Sequence, residues 1–314
     1  MDADTADVYR EGKVVRCPDG NGDIITLKDT ENINGIVPFD RIGEISRNFC
    51  KFPLRKDDIF LTAFVRSGTH VVWEITTMLT KNMTELTDLP KQESMIELMT
   101  DEALESLPSP RVLNNHFPNW LYPKEALTKN KFIHVIRNPK DALVSYYHMA
   151  QGLKNFNYSG TWSGYFEFVM ARQNTGLKPI DYNDWPSNVL PWYNLSKTNQ
   201  NIVNVFFEDL VENPVPQIKR IAEHIGFPKD QDTYEQIAKA TSFKAVRQNK
   251  RVKGLNLQYN TPTSQPWKDG SPGIYRKGKV GDWKNHFTVA QNERFDALYR
   301  QWTLNTDICV RFEI

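Results

Sequence analysis

Three short apolar runs, each followed by a helical pattern, place the strongest constraint on the fold of this chain. The first run, Ile59–Ala63 (IFLTA), leads into the turn Arg66–Thr69, after which apolar residues recur at helical spacing. The second run, Lys131–Ile136 (KFIHVI), precedes Pro139, and proline favours the first turn of a helix. The third run is Ile202–Phe207 (IVNVFF). Each run therefore predicts a buried strand that feeds a helix.

The helix after the third run is expected from Pro214 to Ile225, with Gly226 ending it. Strands that alternate with helices predict an α/β fold, with a central parallel sheet flanked by helices. No shift in composition divides the chain, so we expect one domain over residues 51–314, with residues 1–50 as a partly flexible segment packed on it. The segment Lys250–Gly281 has little periodicity and is expected to be a functional or disordered loop.

Composition excludes several classes of protein. Basic and acidic residues number 39 and 38, which gives a net charge of +1, so bulk charge predicts neither nucleic-acid binding nor membrane-surface binding. The polar segment Met1–Arg16 has no apolar stretch typical of a secretory signal, and no segment reaches the roughly 18 apolar residues of a membrane span. Cys17, Cys50 and Cys309 lack metal-ligand spacing. We therefore expect a cytoplasmic protein with reduced thiols.

The turn after the first predicted strand has the composition of an anion site. Gly68 allows close approach of the backbone, Ser67 and Thr69 add hydroxyl donors, and Arg66 adds a permanent cation at a helix N-terminus. The turn lacks the G-x-x-x-x-G-K-[ST] pattern of nucleotide triphosphatases. On these residues alone, an ordinary strand-to-helix turn remains an equal alternative.

Two further motifs place cations where a ligand is expected. Arg137 follows the second predicted strand, where ligands bind in open α/β sheets, and Ser145 lies two helical turns later. Taken alone, this pair also fits a surface salt bridge and an exposed serine. Near the C-terminus, Arg276, Lys277 and Gly278 form a basic loop, which alone also fits a solvated surface. Together, the three motifs favour a doubly phosphorylated ligand.

From Ile59 to the C-terminus, the chain resembles the cytosolic (soluble) sulfotransferase family. The segment F-V-R-S-G-T-H-V is similar to the family's Y-P-K-S-G-T-T-W loop. Residues 137–148 resemble the pattern R-N-x-K-D-x-x-V-S-Y-Y-H, and residues 241–244 read T-S-F-K. Residues 276–288 match R-K-G-x-x-G-D-W-K-x-x-F-T.

This resemblance implies a fold and an activity. Family members have one α/β domain with a P-loop-like phosphosulfate-binding loop, and they bind 3′-phosphoadenosine 5′-phosphosulfate (PAPS) across the strand ends. They transfer its sulfuryl group to a hydroxyl or amine of a small molecule such as a phenol, steroid or alcohol. The products are the sulfated acceptor and 3′-phosphoadenosine 5′-phosphate (PAP), and no metal is required.

The resemblance also implies roles for individual residues. His116, in the segment RVLNNHFP that is similar to the family's K-T-H-x-P, is the expected base, because an imidazole titrates near neutrality. Arg66 is the expected second catalytic residue. The residues expected to hold the nucleotide are Arg66, Ser67, Gly68, Thr69, His70, Arg137, Ser145, Phe207, Thr241, Ser242, Phe243, Arg276, Lys277 and Gly278.

Four positions depart from the family pattern. Arg66 stands in place of the loop lysine, and Asn114 in place of the lysine two residues before the histidine. Val71 replaces an aromatic residue expected to stack on adenine, and Phe207 replaces a tyrosine. A nucleotide-binding protein with weak or altered catalysis therefore remains an alternative. A P-loop-type kinase is a poorer alternative, since no Walker motif is visible.

Two further expectations concern partners. Lys284–Glu293 resembles the family's K-x-x-x-T-V-x-x-x-E dimer segment, so we expect a homodimer through it. Thr288 in the same segment is also a good helix N-cap, and both readings can hold. The acceptor is not defined by the sequence. Aromatic residues that fit either an acceptor pocket or the core are Phe117, Trp120, Tyr158 and Trp162.

Overall fold

The centre of the molecule is a four-stranded parallel sheet. The computed structural model describes residues 13–30, 35–37, 49–89, 91–173, 184–252 and 267–314. The strands of this sheet lie in the order β5-β4-β6-β7. Their bounds are β4 Ile59–Ala63, β5 Val112–Asn115, β6 Lys131–Ile136 and β7 Ile202–Phe206. A separate antiparallel sheet comprises β1 Lys13–Pro18, β2 Ile24–Thr30 and β3 Gly35–Val37.

Helices surround the parallel sheet. Within the described residues they are α1 Thr69–Lys81, α2 Asp101–Ser106, α3 Lys124–Lys129, α4 Pro139–Gly152, α5 Trp162–Met170, α6 Trp185–Ser196, α7 Phe207–Glu212, α8 Pro214–Ile225, α9 Gln231–Ala240, α10 Phe243–Val252 and α11 Val289–Thr303. Short 3₁₀ turns include Lys91–Ser94, between α1 and β5, and Asp282–Asn285, before α11. The predicted α/β fold with a central parallel sheet is confirmed.

Helices cover both faces of the sheet, so the side chains of β4, β5 and β6 are almost all buried. Phe60 and Phe132 point into one hydrophobic cluster, whereas Leu61 and Ile133 point into the other. Successive side chains of a strand alternate between the two faces, so each face has its own core. The carboxyl ends of the four strands consequently meet at one edge of the sheet.

The predicted strands Ile59–Ala63 and Lys131–Ile136 have the predicted bounds. The third strand ends one residue early, because Phe207 begins α7. Pro139 opens α4, and Gly226, with φ 81°, ends α8, as expected. The segment Lys250–Gly281 is described only in part: α10 continues to Val252, and residues 253–266 lie outside the described residues.

The antiparallel sheet packs against the domain near α5. The Tyr158 hydroxyl donates to Asp19 Oδ2 over 2.7 Å, and the Gly20 amide donates to the Gly164 carbonyl over 3.0 Å. Ile25 lies in the same cluster as Phe60.

No helix among the described residues is long and apolar enough to span a membrane.

Candidate active site

Each of the four parallel strands leads to a residue that the sequence singles out. The loop with Arg66 follows β4, His116 follows β5, Arg137 follows β6, and Phe207 follows β7. All four residues line one cavity of about 380 Å³. The structure thus brings together residues that are far apart in the sequence, at the edge where open α/β sheets bind ligands.

The loop after β4 has a conformation suited to an anion. Arg66 has φ 63° and Gly68 has φ 96°, and Gly68 caps the N-terminus of α1. A Cβ at Gly68 would overlap the ring of Phe207, so only glycine allows this close approach. The Ser67 Oγ is buried and has no hydrogen-bond partner among the described residues. The first helical residue is Thr69, whose backbone lies at the positive end of the helix.

Arg66 extends across the cavity toward α4. Its Nε donates to Ser145 Oγ over 3.0 Å, and its Nη2 donates to the Ile274 carbonyl over 3.2 Å. Ser145 therefore accepts from a cation, and its own hydroxyl hydrogen is directed elsewhere. Arg66 and Ser145 are expected to bind different ends of the ligand, and here they are directly linked.

Arg137 is buried beneath the same loop. Its Nη1 donates to the Arg66 carbonyl over 2.9 Å, and its guanidinium lies 4.5 Å from the centroid of the Phe207 ring. Its Nε is buried without a hydrogen-bond partner among the described residues. Burial is the largest influence on its pKa, and it lowers that pKa because it disfavours the charged form. A buried cation with an open donor is suited to a bound anion.

The basic loop near the C-terminus is held by one carboxylate. Asp282 accepts from Arg276 Nη2 over 2.6 Å and from Lys277 Nζ over 2.5 Å. Burial alone raises the pKa of Asp282, but hydrogen bonds from Lys277, Asn285 and Arg276 outweigh it, so the pKa lies well below its usual range. Arg276 Nε has no hydrogen-bond partner among the described residues. Gly278, with φ 61°, packs under the Phe243 ring, which a Cβ would overlap.

Motif comparison did not assign roles to two acidic residues that position this loop. Asp141, in the first turn of α4, accepts from the backbone amides of Gly281 over 2.8 Å and Trp283 over 3.0 Å. Asp282 fixes the side chains of Arg276 and Lys277 as described above. Both aspartates lie inside the motifs quoted from the sequence, but their roles depend on hydrogen bonds that only the structure shows.

His116 is buried, and its hydrogen bonds define its tautomer. Nδ1 lies 2.9 Å from the Ala63 carbonyl, which can only accept, so Nδ1 carries the hydrogen and Nε2 carries the lone pair. The backbone amide of His116 donates to Glu97 Oε1 over 2.6 Å. Burial, followed by the charge of Lys91, lowers the pKa of His116 to about 3. The side chain is therefore a neutral imidazole at neutral pH.

The remaining predicted residues also border the cavity. Thr241, Ser242 and Phe243 line it, and Thr241 Oγ1 donates to the Ile237 carbonyl over 2.8 Å. His70 also lines the cavity and packs edge-on against Tyr275, at 5.8 Å between ring centroids. Every predicted nucleotide residue except Ser67 lines this one cavity.

The four aromatic residues that fit either an acceptor pocket or the core do not line this cavity. Phe117 and Tyr158 belong to the core, and Trp120 is 56% exposed. Trp162 donates its indole hydrogen to Gln291 Oε1 over 3.1 Å. None of the four lines the cavity. The apolar residues that line it beside His116 and Arg66 include Met95, Met149 and Ile274.

The cavity also contains a residue that sequence reasoning missed. Lys91 begins the 3₁₀ turn Lys91–Ser94, is only 4% exposed and lines the cavity with His116. No motif surrounds it.

Among the described residues, no group of three or more His, Cys, Asp or Glu side chains is arranged to hold a metal ion.

Fold and site together define an α/β protein with a cavity at the strand ends, lined by arginine and lysine side chains that are suited to an anionic ligand. A family model described as a sulfotransferase domain matches residues 56–307. The chain therefore belongs to the sulfotransferase family.

Relatives of known name agree with this assignment. The chain is 33% identical to sulfotransferase 1C2 of Rattus norvegicus in an alignment of 263 positions that covers 80% of this chain and 84% of the relative. It is 33% identical to sulfotransferase 1A1 of the same organism, over 88% of this chain and 93% of the relative.

Solved structures give the same result. The structure of mouse sulfotransferase SULT7A1 complexed with PAP matches with a TM-score of 0.69 at 29% identity, covering 85% of this chain and 91% of that one. Retinol dehydratase in a complex with retinol and PAP matches with a TM-score of 0.71 at 17% identity, covering 99% and 97%. At that identity, the second match supports the fold alone.

Proposed function

We propose that this protein transfers a sulfuryl group from PAPS to a hydroxyl or amine of a small molecule and releases PAP. The observation that carries the proposal is the set of open, buried donors around one cavity. Arg137 Nε and Arg276 Nε are both buried without hydrogen-bond partners among the described residues. Buried charged donors of this kind are costly unless an anion completes them.

The residues present fit PAPS. Arg66, Ser67, Gly68 and Thr69 would hold the 5′-phosphosulfate at the N-terminus of α1. Arg137 and Ser145, together with the loop Arg276–Gly278, would hold the 3′-phosphate. Thr241, Ser242 and Phe243 would border the adenine, joined by His70 and Phe207. The similarity to a mouse sulfotransferase complexed with PAP supports this assignment.

The chemistry would need one base and several cations. The acceptor oxygen forms a bond to sulfur, and the bond from sulfur to the bridging phosphate oxygen breaks. The electron pair of the broken bond stays on that phosphate oxygen, and the acceptor proton passes to Nε2 of His116. The Ala63 carbonyl fixes the tautomer that leaves Nε2 able to accept it. Arg66 would stabilise the charge that develops during transfer.

The acceptor is proposed to be a small, largely apolar molecule. The cavity that contains His116 is also lined by the apolar residues Met95, Met149 and Ile274. Methionine side chains adapt to varied apolar shapes, so this cavity suits phenols, steroids or aliphatic alcohols.

The proposal is tested by incubating the protein with ³⁵S-labelled PAPS and a panel of phenols, steroids, alcohols and amines, while PAP binding is measured by calorimetry. Transfer of label together with PAP binding is the expected result. PAP binding without transfer to any acceptor would instead support the alternative of a nucleotide-binding protein with altered catalysis. Absence of both would contradict the proposal.

We also propose that no metal is required. Arg66, Arg137, Arg276 and Lys277 supply positive charge to the cavity as side chains. Transfer should therefore be unchanged by EDTA. Activity that disappears with EDTA and returns with magnesium would contradict this expectation and revive the kinase alternative.

Assembly is proposed to involve Lys284–Glu293 of two copies of the chain. Val289 is 76% exposed at the start of α11, and Thr288 caps that helix with a complete capping box. Lys284 pairs with Glu313 of its own chain over 2.6 Å, an exchangeable surface contact. Light scattering should show a homodimer that Val289→Glu converts to monomer. A monomeric unmodified protein at micromolar concentration would contradict the dimer.

We further propose that the protein acts in the cytoplasm, with residues 1–50 packed on the domain of residues 51–314.

A further inference from the structure

Lys91 is a buried lysine of the cavity to which the sequence assigns no role. It is only 4% exposed, yet it lines the cavity together with Arg66 and His116. A lysine ammonium is strongly hydrated in water, so burying it is unfavourable unless partners or a ligand compensate. Its position therefore calls for an explanation beyond packing.

The turn that carries Lys91 is fixed to β5 by buried hydrogen bonds. Asn114 Nδ2 donates to the Lys91 carbonyl over 3.2 Å and to Ser94 Oγ over 3.0 Å. Trp73 Nε1 donates to the same Ser94 Oγ over 2.7 Å, and the Ile96 amide donates to the Asn114 carbonyl over 3.0 Å. Asn114 lies two residues before His116, so the turn and the imidazole are attached to the same strand.

Asn114 is also the position at which the family pattern has a lysine. Its side chain is fully buried and cannot carry charge. Instead, it holds the backbone of the residue that does carry charge. The amide at Asn114 and the ammonium at Lys91 thus form one unit, in which the first positions the second.

Several charged or titratable groups surround Lys91. Glu97 follows the turn, Arg66 lies on the loop after β4, and His116 follows β5. His70 of α1 contacts Gln92, the residue after Lys91. Burial is the largest influence and lowers the pKa of Lys91 to about 8, while the charge of Glu97 opposes the shift. The ammonium is therefore mostly charged at pH 7 and becomes neutral as pH rises through about 8.

We propose that Lys91 is a catalytic cation of this site, which contacts the transferring sulfuryl group beside His116 and replaces the charge that is missing at Asn114. This inference rests on the proposed sulfuryl transfer. As the acceptor oxygen bonds to sulfur and the bond to the bridging phosphate oxygen breaks, negative charge redistributes over the sulfuryl and phosphate oxygens. Lys91 stabilises that charge, His116 takes the acceptor proton, and the electron pair of the broken bond stays on PAP.

A purely structural role makes a different prediction. If Lys91 only paired with Glu97, its removal would loosen the turn and weaken every property of the site together. A cation that acts on the sulfuryl group affects transfer alone, because PAP lacks that group. PAP affinity and kcat therefore separate the two roles.

The experiment compares Lys91→Met and Lys91→Arg with the unmodified protein and with Lys129→Met, which alters a lysine with a side chain 59% exposed. PAP binding is measured by calorimetry, and sulfuryl transfer by labelled PAPS. Lys91→Met should lower kcat by about 10²–10³-fold, as removal of one transition-state donor does elsewhere. Its PAP affinity should stay within about twofold of the unmodified value, since the effect belongs to the transition state.

Lys91→Arg should recover part of kcat, and its pH profile provides a second readout. In the unmodified protein, kcat/KM should fall as pH rises through about 8, the pKa of the free Lys91 ammonium. In Lys91→Arg this fall should disappear, because a guanidinium stays charged. This readout remains decisive even if Lys91→Met folds poorly.

Three outcomes would overturn the role of Lys91: a Lys91→Met kcat within threefold of the unmodified value, equal losses of kcat and PAP affinity, or an unchanged basic limb in Lys91→Arg. Failure of the proposed function is recognised separately, because the unmodified protein itself would then transfer no sulfuryl group to any acceptor, whether or not it binds PAP.

Discussion

The two ends of the central sheet bury positive charge in different ways. At the amino end, Arg111 is 1% exposed, and its Nε and Nη2 donate to the two carboxylate oxygens of Asp58, each over 2.6 Å. At the carboxyl end, Arg137 is 7% exposed and donates to backbone carbonyls. Its Nε has no partner, and Asp141 and Glu208 act on it through charge without hydrogen bonding among the described residues.

This difference distinguishes a charge that serves the fold from a charge that serves a ligand. Groups of the protein itself satisfy the hydrogen-bond donors of Arg111, so removal of this arginine leaves the Asp58 carboxylate buried without its partner. Arg137 keeps an open donor, so an anion from outside completes it. The same contrast applies to histidines. His224 of α8 contacts the carbonyls of Phe132 and Asn201 at the amino end, each at 3.1 Å, whereas His116 lines the cavity.

The largest expected effect tests the two histidines. His116→Ala should lower the rate of sulfuryl transfer by about 10²–10⁴-fold, the usual contribution of a general base. PAP affinity should be nearly unchanged, because the imidazole is expected to contact the acceptor. His224→Ala, measured in the same transfer and calorimetric assays, should leave both values close to normal. A His116→Ala variant that kept most of its turnover would show that the base lies elsewhere.

The next effect tests the two arginines through stability. Arg111→Met should lower the free energy of unfolding by about 3–5 kcal/mol, because it leaves the Asp58 carboxylate buried without its partner. Arg137→Met should lower it far less in the absence of nucleotide, since no hydrogen-bonded carboxylate is left behind. Urea unfolding at constant slope measures both variants. Similar losses for the two variants would remove the distinction between the two ends of the sheet.

The strands, and the edge of the sheet where a ligand was expected, could be predicted from the sequence for a physical reason. Strands covered on both faces are rich in apolar residues, so Ile59–Ala63 and Lys131–Ile136 stand out in the sequence, although the second also contains a lysine and a histidine. β5 was not predicted because it is short and carries Asn114 and Asn115. Both are fully buried, and amides in a strand become interpretable only once their partners in space are known.

The nucleotide residues could be predicted from the sequence for another reason, whereas Lys91 could not. Arg137, Ser145 and Arg276 belong to motifs whose order along the chain reflects one shared ligand. Lys91 stands alone in a short 3₁₀ turn that is fixed by bonds from Asn114 and Trp73, far from it in sequence. Local propensity contains no information about such tertiary bonds. The missing lysine at Asn114 indicates that a replacement is needed, but it does not say where the replacement lies.

A smaller effect concerns which nucleotide the open arginines recognise. Arg137→Ala and Arg276→Ala should each weaken PAP binding by about 1.5–3 kcal/mol, the range for a hydrogen bond to a charged group. Binding of the 3′-dephospho analogue should change much less, because the phosphate that these arginines would contact is absent. Arg220→Ala, which alters an exposed arginine of α8, serves as the control in calorimetry. Equal losses for both nucleotides would assign these arginines to the fold, like Arg111.

The smallest expected effect is the response of kcat/KM to acid between pH 5 and pH 7. Burial and the charges of Lys91 and Arg66 lower the pKa of His116 to about 3, so the base stays almost fully neutral over this range. A histidine with the ordinary pKa near 6.5 would go from about 3% to about 76% neutral over the same range, and activity would follow. The profile, measured with an acceptor that does not titrate in this range, should therefore be nearly flat. Lys91→Met removes one of the charges that oppose the imidazolium, so its acid limb should move upward in pH. An inflection near pH 6.5 in the unmodified protein would show that His116 behaves as an exposed histidine, and the cations at the carboxyl end would then not act on it.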